Sequence, residues 1–249
     1  DGIANGFAGW FIDDFVVESG ATSGGGGSTG GGSVDDGGTP SDGSGGGTPS
    51  EPSDGTAGGG SSGSGAGASA PYASGFDTPE SLAGWEFEAT TAVAGMPLWA
   101  ADATPAAVAG TPTFVSSPNS LNYNNGTDFT APTAGAASVG SVKSPTITLG
   151  PGAWSIKFKC NYETETDGIA YDQRWVYVYG DGSSTPFGSF QLSAEDSGIG
   201  ACAAMGTWHE HTLALPTGLT SVKVEFKFDS IDGIANGFAG WFIDDFVVE

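Results

Sequence analysis

Between residues 154 and 162 apolar and polar side chains alternate: Trp154, Ile156, Phe158, Cys160 and Tyr162 take one face, Lys157, Lys159 and Asn161 the other. A period of two is the signature of a half-buried strand. Residues 221–228 repeat it, with Val222, Val224, Phe226 and Phe228 on one face and Lys223, Glu225 and Lys227 on the other. The run RWVYVY at 174–179 is aromatic and β-branched, which favours a pleated surface, and the GDGSS after it is a turn signal. Shorter strand candidates lie at 120–123, 142–149, 187–192, 207–215 and 241–248. No segment carries a convincing helical period, and Gly and Pro punctuate the runs at short intervals. The pattern predicts an all-β chain folded as an antiparallel β-sandwich of the jelly-roll kind.

The last run poses a chemical problem. Continuous alternation puts Trp241, Ile243, Asp245 and Val247 on one face and Phe242, Asp244, Phe246 and Val248 on the other. Whichever face meets the core, a carboxylate sits among large apolar side chains. Buried and unpaired, such a group is strongly destabilising, so it must find a base, backbone N–H donors or a cation. Bases are few, and oxygen-rich sites suit Ca²⁺. The loop ahead of the strand adds Asp229, Asp232 and Asn236. Asp229, Asp232, Asp244 and Asp245 are therefore candidate calcium ligands. The alternative is a carboxylate that caps backbone N–H groups with no metal.

Composition divides the chain. Residues 19–71 hold 21 of the 44 glycines, no aromatic residue, no Lys or Arg, and one bulky aliphatic, Val34. Such a stretch cannot bury enough apolar surface to offset the entropy of ordering. It reads as a Gly/Ser/Thr/Pro linker, with the composition of an O-glycosylated stalk. Residues 72–249 are long enough for one sizeable core. Residues 1–18, DGIANGFAGWFIDDFVVE, recur without substitution at 232–249, a period of 231. An internal repeat of this kind governs every other reading. The chain reads as one repeat of a longer tandem polypeptide. In that reading 1–18 are a terminal strand segment that completes a sheet of the preceding repeat or of a neighbouring subunit, because such a strand left exposed would aggregate. Head-to-tail contacts of this type build open-ended arrays. A single internal duplication is the alternative.

Charge and chemistry narrow the function. The chain has 29 acids against 6 bases, a net charge of −23. A basic groove for nucleic acid is absent, and nothing attracts an anionic lipid surface. No run nears the ~20 apolar residues of a membrane helix. Cys160 and Cys202 are expected to form a disulfide, which implies an oxidising compartment; the alternative is two buried free thiols. His209 and His211 flank Glu210, a spacing that is not the helical HExxH zinc motif. In a strand they share a face, so they mark either a surface strand or a metal pair. No nucleophile elbow and no phosphate loop is present, and no carboxylate pair is singled out by context. Most of the seven tryptophans fall in apolar strand patterns and read as core. Trp99, in PLWAAD, is the candidate exposed platform for stacking on a sugar.

The order of blocks carries a resemblance. GFDTPESLAGWEF (75–87), SPNSLNY (117–123), SPTITL (144–149), YDQRWVYVYGDG (171–182), GTW (206–208) and FDSIDGIANGFAGWFIDD (228–245) follow one another over nearly all of the folded part. The chain resembles the MAM-like, concanavalin-type jelly-roll repeat modules of large secreted bacterial surface proteins. The resemblance implies a secreted or cell-surface module without catalysis of its own, sometimes holding a structural cation near the last strand. It also implies that first and last strands lie close together, which adds Asp77 to the candidate calcium ligands. The expected function is a non-catalytic repeat unit of an extracellular filament or surface fibre that assembles with other copies of itself. The alternative is a carbohydrate-binding or adhesion module array, with glycans as partners; a third reading is an accessory domain of a secreted hydrolase.

Overall fold

The computed structural model describes residues 67–89, 95–102, 113–202 and 204–249. The expected terminal strand segment at 1–18, and all of the linker up to residue 66, lie outside the described residues. The regular elements are strands: β1 (Ala68–Ser69), β2 (Tyr72–Ser74), β3 (Glu86–Ala89), β4 (Leu98–Asp102), β5 (Ser120–Asn124), β6 (Val139–Lys143), β7 (Ile147–Thr148), β8 (Ser155–Glu163), β9 (Gln173–Gly180), β10 (Gly188–Leu192), β11 (His209–Ala214), β12 (Ser221–Asp229) and β13 (Gly240–Val248). Among the described residues no helix is long and apolar enough to cross a membrane.

The strands form two sheets packed face to face. Sheet A runs β10–β9–β12, and beyond β12 it divides: β7, with β1 outside it, pairs with the start of β12, while β6, with β3 outside it, pairs with the rest. Sheet B runs β11–β8–β13 and divides in the same way, β5 and β4 following the first half of β13 and β2 the second half. Every pairing is antiparallel except β1 with β7. The fold is thus the expected all-β sandwich. Strand pairing begins at Ala68, ahead of the expected boundary at Tyr72, because β1 docks beside β7.

Period-two alternation builds the core. Val222, Val224, Phe226 and Phe228 of β12 face Ile156, Phe158, Cys160 and Tyr162 of β8, and all eight are buried. Phe226 is the hub. Its ring lies 5.1 Å from Phe158, 5.8 Å from Trp241, 6.2 Å from Phe246 and 6.5 Å from Trp85, centroid to centroid. The first three contacts are edge-to-face and the Trp85 contact is stacked, and both arrangements add to the burial of large apolar area. The expected strand at 142–149 is two strands, because Pro145, between β6 and β7, has no N–H to give the ladder. PLWAAD, absent from the strand candidates, contains β4.

The last strand departs from its expected alternation. Its register against β8 slips by one residue between Asp244 and Val247, and Asp245 takes a φ of +49°. This is a β-bulge. It carries Trp241 and Ile243 before it, and Phe246 and Val248 after it, into one core. Both carboxylates are thereby left off the core face.

Gly140 of β6 is fixed by packing. A Cβ there would lie 2.6 Å from Cε2 of Tyr123, whose ring is stacked on Phe228 at 4.9 Å and cannot retreat. Gly140→Ala is expected to lower unfolding free energy by about 1–3 kcal/mol, the cost of overpacking, read as a lower urea midpoint with an unchanged slope.

Candidate functional site

Strand β9 separates its residues cleanly. Arg174, Val176 and Val178 point inward, while Gln173, Trp175, Tyr177 and Tyr179 lie half-exposed on the outer face of sheet A. The indole of Trp175 and the ring of Tyr177 are parallel to within 9°, with centroids 5.7 Å apart. Four residues of strand at about 3.3 Å each make the stripe about 13 Å long. Hydrogen-bonding groups flank it in register. Trp175 stands between Gln191 of β10 and Lys227 of β12, and Tyr177 between Ser189 and Glu225. Beyond them come Ser141 and Lys143 of β6, then Glu88 and Glu86 of β3. The polar groups are held in place. Tyr179 donates to Oε2 of Glu225 at 2.6 Å, Trp175 Nε1 to Oε1 of Gln173 at 2.9 Å, and Gln173 and Gln191 both donate to the carbonyl of Ile169. Lys143 pairs with Glu88 and Lys223 with Glu86, each at 2.8 Å. Burial and the nearby carboxylates of Glu225 and Asp229 raise the Tyr177 hydroxyl above its usual range. Tyr171 and Phe187, 42 % and 44 % exposed, add aromatic surface at the ends of β9 and β10.

Sequence reasoning missed this face by treating Trp175 as core. The signal was present: three aromatic residues at alternate positions, with two valines between them that suffice for the inward side. The converse correction applies to Trp99, expected as an exposed sugar platform. It is 5 % exposed, donates from Nε1 to the Gly140 carbonyl at 3.1 Å, and packs on Tyr123 and Trp241. Its place on β4 turns it into the sandwich, and no face is left for a ligand.

The five candidate calcium ligands do not converge. Asp244 is fully buried. Its Oδ2 accepts from the backbone N–H of Val115 (2.6 Å) and Ser116 (2.9 Å), and its Oδ1 from the N–H of Asp245 (2.7 Å) and the hydroxyl of Ser116 (3.1 Å). This is the backbone-capping arrangement. Burial still pushes its carboxyl up to about 6, against the pull of those donors. Asp77 caps the N–H of Asn119 at 3.0 Å, so it holds the same segment as Asp244. Asp245 pairs with Lys159 at 3.0 Å. Asp229 ends β12 and Asp232 sits in the loop that follows, each accepting from an N–H two residues on, of Ile231 and Ile234.

Cys160 and Cys202 do meet, but as free thiols with sulfurs 3.2 Å apart rather than as the expected disulfide. A third side chain shares the space. Nε2 of His211 lies 3.2 Å from the Cys160 sulfur and 3.5 Å from that of Cys202. His211, read as a surface or paired histidine, is fully buried on the inner face of β11 and stacks on Phe158 at 4.9 Å. His209 shares that face, but its Nε2 contacts the Ala204 carbonyl at 3.1 Å. Burial drives the Cys160 thiol upward, while the hydrogen bond from Cys160 and the imidazole drive Cys202 downward.

No family model and no curated protein matches the chain. Among solved structures, a family 61 carbohydrate-binding module in complex with β-1,4-galactotriose is 12 % identical, with a TM-score of 0.41 over 68 % of this chain and 89 % of the module. The K1 cleaved adhesin domain of Lys-gingipain from Porphyromonas gingivalis is 16 % identical, with a TM-score of 0.42 over 71 % and 96 %. The CBM22-1 xylan-binding domain of Paenibacillus barcinonensis Xyn10C is 13 % identical, with a TM-score of 0.36 over 74 % and 96 %.

Two outcomes are expected at the buried carboxylates. Asp244→Ala strips the acceptor from three backbone N–H groups, and at about 1–3 kcal/mol for each buried orphan it is expected to cost about 3 kcal/mol or more in urea unfolding. Asp172 is buried too, and burial raises its carboxyl from 3.8 to about 6. Because the folded value lies above the unfolded one, folding takes up a proton between these values. The stability it contributes is full below pH 3.8 and is lost as pH rises through about 6. Asp172→Asn is expected to shrink the difference between urea midpoints measured at pH 4 and pH 7.

Proposed function

We propose that this domain is a glycan-binding module of a bacterial secreted or cell-surface protein, and that it holds its ligand on the outer face of sheet A. The observation that carries the reading is the Trp175–Tyr177–Tyr179 stripe, flanked in register by amide, hydroxyl, ammonium and carboxylate groups. Pyranose rings present apolar C–H faces that stack on aromatic rings, and equatorial hydroxyls that reach such polar neighbours. Rigid aromatic side chains give large contact area at small entropic cost. The ligand class follows from charge. Lys143, Lys223 and Lys227 are matched on this face by Glu86, Glu88, Glu225 and Asp229, and the whole chain is acidic. A neutral glycan suits such a surface, and an anionic polysaccharide does not.

A second reading, a repeat unit of an extracellular tandem array or filament, also has one observation behind it. The repeated motif at 232–249 supplies β13, a strand bonded on both sides inside sheet B. An identical sequence at 1–18 therefore has the side chains of an interior strand. That is the composition expected where one repeat follows another.

Affinity electrophoresis through gels cast with soluble β-1,4-galactan or xylan tests the first reading. Retardation is expected to be insensitive to salt, and Trp175→Ala and Tyr177→Ala are each expected to weaken binding at least tenfold, about 1.4 kcal/mol, with unchanged circular dichroism. Binding that survives both substitutions would remove this face from consideration. Sedimentation of the full chain over a concentration series tests self-association separately.

A further inference from the structure

Inside the sandwich, three ligand atoms that the glycan reading does not use converge on one point. The Cys160 and Cys202 sulfurs and Nε2 of His211 form a triangle with edges of 3.2, 3.2 and 3.5 Å. Among the described residues, this is the group of His, Cys, Asp and Glu side chains whose ligand atoms gather closely enough to hold a metal ion. All three residues are fully buried. We propose that Cys160, Cys202 and His211 bind a thiophilic d¹⁰ cation in a three-coordinate site, with Cu(I) as the ion that fits.

The imidazole is oriented for ligation. Its Nδ1 lies 3.3 Å from the carbonyl oxygen of Ile199. A proton on Nδ1 is thereby fixed toward that carbonyl, leaving the Nε2 lone pair directed at the sulfurs, the outer-shell arrangement typical of metal-bound histidine. A disulfide between the cysteines needs no such nitrogen. The centre of the triangle is about 1.9 Å from each corner, and metal–sulfur and metal–nitrogen bonds of about 2.3 and 2.0 Å require outward shifts of at most about 0.4 Å. Two sulfurs and one nitrogen form a soft donor set, which selects Cu(I) or Zn(II) over hard cations. Closed zinc sites are tetrahedral, and no fourth Cys, His, Asp or Glu ligand joins the group among the described residues. Cu(I) is content with three ligands. Cys202 comes from the loop between β10 and β11, so one ligand can swing aside to admit the ion without unpairing a strand.

Anaerobic titration of the reduced full chain against the Cu(I)–bicinchoninate complex tests the assignment. The expected result is removal of one equivalent of Cu(I) from the chromophore, with an ultraviolet thiolate-to-copper charge-transfer band and a raised thermal midpoint. His211→Asn and Cys202→Ser are expected to lose affinity at least tenfold while keeping the circular dichroism of the parent. Equal copper uptake by the parent and by a chain carrying both Cys160→Ser and Cys202→Ser would overturn the proposal. So would a protein isolated without reductant that is two hydrogens lighter and has no thiol titre after unfolding, since the sulfurs would then be bonded to each other. Stoichiometric Zn(II) binding, read with a chromophoric zinc indicator, in place of Cu(I) would overturn the three-coordinate assignment.

Discussion

The course of β13 rests on one carboxylate. Asp244 gathers three backbone N–H groups and a hydroxyl, which fastens the segment at Val115 and Ser116 to the strand and stabilises the bulge at Asp245. The bulge in turn decides which side chains of β13 face inward. With strict alternation, the second half of the strand would present Asp245 and Val247 to the core that Trp241 and Ile243 have begun. With the extra residue, Phe246 and Val248 arrive there instead. Because β13 is bonded to β8 on one side and to β5 and β2 on the other, this local correction sets the register of most of sheet B. The dense aromatic contacts around Phe226 depend on it directly, since Trp241 precedes the bulge and Phe246 follows it.

Once β12 and sheet B supply that core, β9 has no need of its aromatic residues inside. Val176 and Val178 fill the inward side of β9, and Trp175, Tyr177 and Tyr179 are free to stay outside. The scarce bases follow the same logic. Lys143, Lys223 and Lys227 stand on the outer face of sheet A, and Lys157 and Lys159 lie on the sheet B strand β8, where they pair with Glu249 and Asp245. Arg174 alone is buried, held by Thr164, by the carbonyl of Asp172 and by the ring of Tyr162.

Three interior strands were legible in the sequence because each has one largely buried and one more solvated face. β8, β9 and β12 announce themselves by alternation. β1, β2, β3 and β4 do not, being short and lying toward sheet margins, where neighbours rather than periodicity decide pairing. The bulge was illegible for a related reason: alternation is a rule about residue count, and a single inserted residue inverts it without any change in composition. One of Asp244 and Asp245 could still be identified as a carboxylate in need of partners, and backbone capping, one of the three solutions foreseen, is the one that Asp244 has. The stripe on β9 was missed because aromatic residues were assumed to face inward. For the histidines of the H-E-H sequence a surface strand and a metal pair were both open, and neither reading joined His211 to the two cysteines. In each case the strand's own pairing, not the residue type, chose the side.

The sequence of β13 is written twice in this chain, at 240–248 and, within the repeated motif, at 9–17. The slot between β8 on one side and β5 and β2 on the other therefore has two chemically indistinguishable claimants. No side-chain contact, hydrogen bond or bulge can favour one over the other, because each offers the same atoms in the same order. Occupancy is degenerate in contact energy and is assigned by connectivity alone: the copy that follows β12 through a short loop reaches the slot at a far smaller entropic cost than one tethered through the linker. The specificity of this sandwich is thus topological rather than chemical.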